Sequence, residues 1–470
     1  MRPKINHQSE FSFHPSNLQI TNEYYAKYEA ISAVLDTHPE IINAVHGDLV
    51  KALEDAAVRD GRGAKFTFTS DTILRIVLCQ IIEGLSLRQV IIRIDDSGFL
   101  RQFVRIYNGP MIDFTAYCKL RNCIRPETWK KVNDLLARAA VKEKLIEGEK
   151  LRVDTTAVET NIHWPTDSSL LWDTYRTLAR YIERIREIDP GVVGDRRILL
   201  KKVKRLQQKI GRKAAKNAKS AEALKPLYIR LFGLVENILQ WSGEIAQLLP
   251  PKIARRLYGP LDQAAMEFCL KELLHFRTLG NQVLDQARRR IINEETVPNE
   301  EKIFSIFEPH TELLKRGKAG KPIEFGHMIQ IQQVEAKFIT DYEVFDRKPV
   351  EYKLLDSTIK RHKDFFGRYP DQLTADKGYY ENMEQITRLG KIIGVVAINK
   401  KGKRTQEETE RETDPAFRHA QRFRAGIEGT ISFLKRVLGL FRCYSKGWEH
   451  YAAMVGATVL AHNLLILARC

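Results

Sequence analysis

Two acidic residues stand in strand-like surroundings that suit chemistry rather than solvation. Asp154 lies inside LRVDTTAVET, a Val- and Thr-rich run typical of a buried strand. A carboxylate at such a place is costly unless it binds a cation, a metal or a hydrogen-bond cluster; the alternative is an acid that caps a strand end. Asp376 follows the short run QLTA, and Gly378 would let the chain turn there. This predicts a carboxylate at a strand's C-terminal edge, although Asp-Lys-Gly alone is a common turn.

A third acid, Glu428, occupies the helical run RAGIEGTISFLKR. On a helical wheel Arg424, Glu428 and Lys435 lie within about 40° of one another, so one face presents a cation, an anion and a cation. The simpler alternative is an i,i+4 ion pair beside the apolar stripe of this helix. An ion pair does not explain Gly426 and Gly429, which weaken a helix unless backbone or substrate approaches closely.

Three carboxylates without His or Cys partners favour a hard cation. Mg²⁺ and Mn²⁺ prefer carboxylate oxygen and keep several waters, which leaves positions for substrate phosphates. Two such ions activate the attacking oxygen and stabilise the leaving oxygen in a displacement at phosphorus. We therefore expect Asp154, Asp376 and Glu428 to hold a pair of Mg²⁺ or Mn²⁺ ions for phosphodiester chemistry. Asp167 and Asp173, at the start of a predicted helix, are weaker candidates.

The charge of the chain favours a polyanionic partner, most often nucleic acid. Its 470 residues include 76 Lys and Arg against 59 Asp and Glu, a formal net charge of +17. The stretch from Arg196 to Arg230 holds 13 basic residues and one acid, and its apolar spacing predicts an amphipathic helix with a basic outer face. A solvated helix is the alternative to phosphate contact. The residues expected to contact phosphates are Lys201, Lys202, Lys204 and Arg205.

Composition disfavours several other classes of protein. Six scattered cysteines form no Cys-x-x-Cys pair, which argues against a disulfide framework or zinc ribbon and favours a reducing compartment. The opening MRPKINHQSEFSFHPSN contains no apolar signal-peptide core. The final apolar run is interrupted by polar residues before it reaches the ~20 residues that span a bilayer. We expect a buried packing helix there, no membrane contact and a cytoplasmic, nucleoid-associated protein.

The order of predicted elements indicates a mixed α/β sheet covered by helices. Helices precede the strand at 149–160, a long helical stretch follows, and KPIEFGHMIQIQQVE with AKFITDYEVFD predicts a hairpin. Then come strand QLTAD, a helix, strand IIGVVAI, a charged segment at 400–415 expected to be a mobile loop, and two helices. The predicted domains are 1–145 (helical, DNA-binding), 146–167 with 303–470 (catalytic) and 168–302 (basic helical insertion).

The run SDTILRIVLCQIIEGLSLRQVIIRI predicts two helices around a tight turn, with Ser70 and Asp71 as candidate N-caps. Such a pair is either a helix-turn-helix DNA reader or ordinary bundle packing. Periodicity alone favours bundle packing.

Several motifs together resemble bacterial insertion-sequence transposases of the DDE class. They are VDTTAVETNIHWPTDSSLLWD, SIFEPHTELLKRGKAGKPIEFGH, TADKGYY and RAGIEGTISFLKRVLGL. The last is the most specific, because Arg424, Glu428 and Lys435 match the family spacing of Arg, three residues, Glu, six residues and Lys. The family often has a Tyr three positions before this arginine, where this chain has Gln421.

The resemblance implies an RNase H-like catalytic core. Asp154 would lie on the first strand, Asp376 just after the fourth and Glu428 on a following helix, with a helical insertion before the hairpin. It also implies an enzyme that binds terminal inverted repeats, cleaves the DNA ends with water and joins the 3′-hydroxyl to target DNA. A homodimer or larger assembly on double-stranded DNA is expected, with Arg424, Lys435 and Lys377 contacting the DNA beside the acids.

Two rival functions stay open at the level of sequence. An RNase H-like endonuclease without strand transfer would use the same three acids. A catalytically inactive DNA-binding protein derived from a transposase would have no need of them, so their joint presence argues against it.

Overall fold

The computed structural model describes residues 4–5, 16–60, 68–216, 221–318 and 321–469. The described residues leave out most of the N-terminal run MRPKINHQSEFSFHPSN, residues 217–220 of the basic stretch, and Cys470. The chain divides into two compact units, Met1–Thr160 with His327–Cys470, and Asn161–Gly326. No disulfide joins the described cysteines, which are Cys79, Cys118, Cys123, Cys269 and Cys443.

Helices fill the described chain before the first long strand, as the sequence predicts. Thr69, rather than Ser70 or Asp71, caps the third helix by accepting the Thr72 N–H at 3.1 Å. Asp71 is instead buried and pairs with the buried Arg75 at 2.7 Å. The helices are α1 (Gln19–Thr37), α2 (Pro39–Asp60), α3 (Ser70–Ile82), α4 (Leu87–Asp95), α5 (Gly98–Phe103), α6 (Phe114–Asn122) and α7 (Pro126–Lys142).

The strand β1 (Lys150–Thr160) is followed by the helical insertion, which belongs to the second unit. Its helices are α8 (Asp167–Ile188), α9 (Pro190–Val193), α10 (Leu200–Lys216), α11 (Ala221–Ala254) and α12 (Pro260–Ile291). The basic stretch therefore spans two helices rather than one. In α10 the apolar positions Val203 and Ile210 are buried against α8 and α11, and the basic positions between them are exposed.

The remaining strands and helices complete the sheet. They are β2 (Glu312–Lys318), β3 (Lys321–Gln333), β4 (Ile339–Val344), α13 (Leu355–Phe366), β5 (Gln372–Ala375), α14 (Met383–Gly390), β6 (Val395–Ile398), α15 (Gln406–Thr413), α16 (Pro415–Arg436), β7 (Arg442–Cys443) and α17 (Trp448–Leu467). The sheet order is β2-β3-β1-β5-β6, with β4 on β3 and β7 on β1. β3 and β4 form the predicted antiparallel hairpin, whereas β1, β5 and β6 run parallel. The fold is thus the predicted mixed α/β class.

One expected loop is a helix. Within 400–415, α15 is capped by Thr405, whose hydroxyl accepts the Glu408 N–H while the Glu408 carboxylate accepts the Thr405 N–H at 2.7 Å. Lys400 also bonds this carboxylate, at 2.6 Å. A reciprocal capping box stabilises a short charged helix that composition alone does not reveal.

The apolar helix α17 is a core element. It is long and apolar enough to cross a membrane, but 72% of its most apolar window is buried inside the protein. It packs on α7, α3, α1 and β4. These N-terminal helices share one hydrophobic core with β3, β4, the end of α16 and α17, whereas α13, β5, α14 and β6 pack in a second cluster.

Candidate active site

Strand register brings two of the predicted acids together. β1 and β5 are parallel, with Val153 opposite Ala375, so Asp154 and Asp376 are the next residues at the same level of adjacent strands. Neighbouring strands lie about 4.8 Å apart. The two carboxylates therefore share one edge of the sheet, where the C-terminal ends of parallel strands form binding sites. Asp376 follows β5 rather than a fourth strand, because β2 adds a strand that the sequence did not reveal.

The surroundings of Asp154 are crowded with negative charge. The pKa of Asp154 is raised to about 7, chiefly by burial and in addition by the nearby carboxylates of Asp376 and Glu351. The Thr155 N–H, which donates to Asp154 Oδ1 at 2.7 Å, and the cation of Arg424 oppose this rise. An acid with a raised pKa beside other acids is a place where a bound cation gains binding energy.

Glu351 is a further acid at this edge, and no pattern in the sequence around it singles it out. Its Oε1 accepts the Thr155 hydroxyl, next to Asp154. A Cβ added at Gly378 would lie 1.7 Å from Glu351 Oε2. Gly378 thus leaves room for this carboxylate, and its φ lies outside the left-handed region that favours glycine. Gly378 is the one sequence feature that indicates a close approach at this place.

The third predicted acid, Glu428, lies on α16, which packs across β1, β5 and β6. Its carboxylate accepts a hydrogen bond from Arg424 Nη2 at 2.9 Å and is mostly exposed. Arg424 is in turn held by Gln421 Oε1 at 3.2 Å, and Gln421 donates to the Ala397 carbonyl at 2.7 Å. Where the resembling family often carries a Tyr, this chain therefore has a residue that anchors Arg424 between Glu428 and the sheet.

The glycines around Glu428 have different explanations. A Cβ at Gly426 would lie 2.2 Å from Arg152 Nη1, so this glycine admits the buried guanidinium. Arg152 donates to the Phe423 carbonyl at 2.6 Å and to Gln333 Oε1 at 2.7 Å, and burial lowers its pKa to about 10. Gly429 has open space around it. Gly426 is therefore explained by packing of the protein itself, while Gly429 leaves the surface beside Glu428 uncovered.

The donors at this edge suit a hard cation in kind, because Asp154, Asp376 and Glu351 offer only oxygen. In the described part of the chain, however, no group of three or more His, Cys, Asp and Glu side chains is placed to hold a metal ion. The structure brings Asp154 and Asp376 side by side and holds Glu428 on Arg424. Arg424 relates the two places, because its cation lowers the pKa of Asp154 while its guanidinium pairs with Glu428.

The remaining predicted site residues lie at different places. Lys377 is exposed beside Asp376, and its N–H donates to Asp376 Oδ1 at 2.7 Å. Lys435 is half-buried near the end of α16. The basic residues of α10, Lys201, Lys202, Lys204 and Arg205, are exposed in the second unit.

The two weaker acid candidates are engaged elsewhere, in the second unit. Asp167 pairs with Arg290 at 2.9 Å, and Asp173 accepts from His163 at 2.6 Å and from Arg176 at 2.8 Å. Thr166, rather than Asp167 or Ser168, caps α8. Both aspartates thus serve the packing of the helical insertion.

The fold and the acid-lined edge define a mixed α/β protein with an RNase H-like core. Residues 328–464 match the family model described as Transposase DDE domain, which confirms the resemblance to insertion-sequence DDE transposases over this segment. The match contains Asp376 and Glu428, and Asp154 precedes it. No curated protein and no solved structure matches the chain.

Proposed function

We propose that this protein is a metal-dependent DNA transposase of an insertion sequence. It binds the terminal inverted repeats of the element, cleaves the DNA ends hydrolytically and joins the 3′-hydroxyl to target DNA. The observation that carries this proposal is the pairing of Asp154 and Asp376 at the same level of two parallel strands, with α16 and Glu428 packed across them. The protein acts in the cytoplasm, on the nucleoid, as a homodimer or larger assembly on double-stranded DNA.

The three acids bind the metal at different stages. Asp154 and Asp376 hold the cation, and Glu428 joins them when DNA phosphates compete for Arg424. Bound Mg²⁺ or Mn²⁺, as a pair of ions, supplies activation of the attacking oxygen and charge stabilisation at the leaving oxygen. Arg424, Lys377 and Lys435 hold the phosphates of the scissile strand, since charge-assisted hydrogen bonds to phosphate orient it without carrying sequence information.

One observation favours a second candidate, a catalytically inactive DNA-binding protein derived from a transposase. Glu428 is paired with Arg424 and not with the other acids, and the described residues contain no ready-made metal group. In that case the chain would bind element ends and leave them intact.

An assay with a labelled element end separates the candidates. The DNA flanking the gene supplies the inverted repeat, and purified protein is incubated with it and with Mg²⁺ or Mn²⁺. Cleavage followed by joining to a target plasmid supports the transposase. Cleavage without joined product supports an endonuclease, and a stable complex with uncut DNA supports the inactive binder.

The proposed role of α10 predicts a change in salt dependence. We expect a variant with four Gln substitutions to show a weaker salt dependence when it binds a duplex element end. The slope of log K against log salt becomes shallower by up to about 3.6, because each lost phosphate contact removes about 0.9 from it. The substituted residues are Lys201, Lys202, Lys204 and Arg205. The measurement is fluorescence anisotropy over a salt series.

A control with the same loss of charge shows whether position matters. It replaces four other exposed basic residues of the second unit with Gln, namely Arg180, Arg255, Arg256 and Lys271. An equal change of slope in the two variants would mean that α10 is merely a solvated basic helix.

A further inference from the structure

One groove of the first unit has none of the candidate-site acids in its lining. It has a volume of about 880 Å³ and is bounded by α3, α4, α6 and the segment from the end of α16 to α17. Neither the family match nor the acid triad assigns it a role. Four cations line it, and no Asp or Glu does; they are Arg88, Arg121, Arg442 and Lys446.

Aromatic rings are interleaved with these cations. Phe441 and Tyr444 lie on either side of β7 and are 48% and 63% exposed, which is unusual for rings of this size in a packed unit. Across the groove, the guanidinium of Arg88 lies 4.5 Å from the centre of the Phe114 ring. Exposed rings beside cations are the pattern with which proteins stack bases and neutralise the adjoining phosphates.

The groove is connected to the acid edge through β1. Arg442 and Cys443 of β7 pair with Glu159 and Thr160, and Arg442 also bonds the Glu159 carboxylate at 2.7 Å. Asp154 lies five residues before Glu159 on the same strand, which corresponds to about 17 Å. A strand of DNA that leaves the acid edge along β1 thus reaches Phe441 and Tyr444.

We propose that this groove binds an unpaired stretch of the DNA strand at the element end, with bases stacked on Phe441 and Tyr444 and phosphates on Arg88 and Lys446. The size of the groove favours unpaired bases over a duplex, because cavities of roughly 300–1,000 Å³ enclose ligands of small-molecule size. The absence of acids from its lining selects a polyanion. The inference rests on the proposed function, since it concerns the DNA on which that function acts.

The test measures binding of a fluorescein-labelled oligothymidylate of about twelve nucleotides and of a duplex element end to the full chain. The variant Phe441→Leu with Tyr444→Leu keeps apolar area and removes stacking. We expect it to bind the oligothymidylate about tenfold or more weakly and the duplex within about twofold of wild type. Phe268→Leu, at a 51% exposed ring on α12 of the other unit, is the matched control and leaves both affinities unchanged.

A second variant tests the cations through the salt dependence of binding, which does not depend on the fraction of protein that is folded. Arg88→Gln with Lys446→Gln makes the salt slope for the oligothymidylate shallower by about 1.4, since each phosphate contact on a single strand contributes about 0.7. If both variants bind the oligothymidylate as the wild type does and still cut and join DNA, the groove does not bind unpaired DNA. The proposed function is unaffected by that result. A wild-type chain that binds no DNA of either form overturns both.

Discussion

Asp376→Asn slows cleavage and joining of element ends about a thousandfold while DNA binding is retained. Asp376 stands level with Asp154 at the edge of the sheet, so the change removes one of two adjacent anions and leaves the volume of the side chain unchanged. A loss of roughly 4 kcal/mol of transition-state stabilisation, as expected for a weakened cation site, corresponds to about a thousandfold in rate. Single-turnover cleavage of a labelled end in Mg²⁺ measures this, and anisotropy without metal measures binding.

The chain offers a matched control on the same strand. Asp371 lies just before β5, is 70% exposed and pairs only at the surface, with Arg368 at 2.7 Å. Asp371→Asn makes the same chemical change at the opposite end of β5, and we expect it to cleave at the wild-type rate. If Asp376→Asn also cleaves at that rate, Asp376 has no part in the reaction.

Stability falls steeply between neutral and mildly acidic pH because of two buried histidines. Burial lowers the pKa of His362 and of His462 to about 4. The Nε2 atom of each lies 3.0 Å from a backbone carbonyl, of Gly148 and Lys337 respectively, whereas neither Nδ1 has a hydrogen-bond partner in the described structure. Each ring is therefore held neutral in the folded chain.

The sign of the effect follows from proton binding. An unfolded histidine has a pKa near 6.5, so between about pH 6.5 and pH 4 the unfolded chain binds more protons and unfolding becomes easier as the pH falls. From about pH 8 to about pH 5 each histidine costs about 2 kcal/mol, and the pair costs about 4 kcal/mol. Urea unfolding at the two pH values measures the loss.

Substitution isolates the contribution of these two residues. The double variant His362→Gln, His462→Gln should lose about 4 kcal/mol less than wild type between the two pH values, whatever its stability at pH 8. His419→Gln, on the exposed part of α16, should behave as the wild type does. An identical loss in the double variant and the wild type would show that these rings are not held neutral by the fold.

Much of the sheet could be predicted from local pattern. β1, the β3–β4 hairpin, β5 and β6 all show Val-, Ile- or Thr-rich runs between turn residues, and such runs depend on nearest neighbours alone. β2 reads ELLKRGK, whose charges hide its pairing with β3, and β7 has only two residues. The capping box at Thr405 was readable, but the charged composition around it favoured a loop.

The candidate site shows where sequence reasoning ends. The positions of Asp154 within a strand and of Asp376 at the end of one follow from local pattern, whereas their equal level depends on strand register. Glu351 and Arg152 reach the site only through tertiary contacts with Gly378 and Gly426. Gly378 and Gly426 each indicate that another group approaches the backbone closely. Only the fold shows that this group is a side chain of the same protein and not a substrate.

The most direct test of the carboxylate site is a crystal structure of the protein with a duplex element end and Mn²⁺, with the ions located by their anomalous scattering. We expect an anomalous peak within bonding distance of the oxygens of both Asp154 and Asp376, with Glu428 turned from Arg424 towards it. A well-ordered complex whose Mn²⁺ lies elsewhere, or whose two aspartates face the DNA without an ion between them, would contradict it.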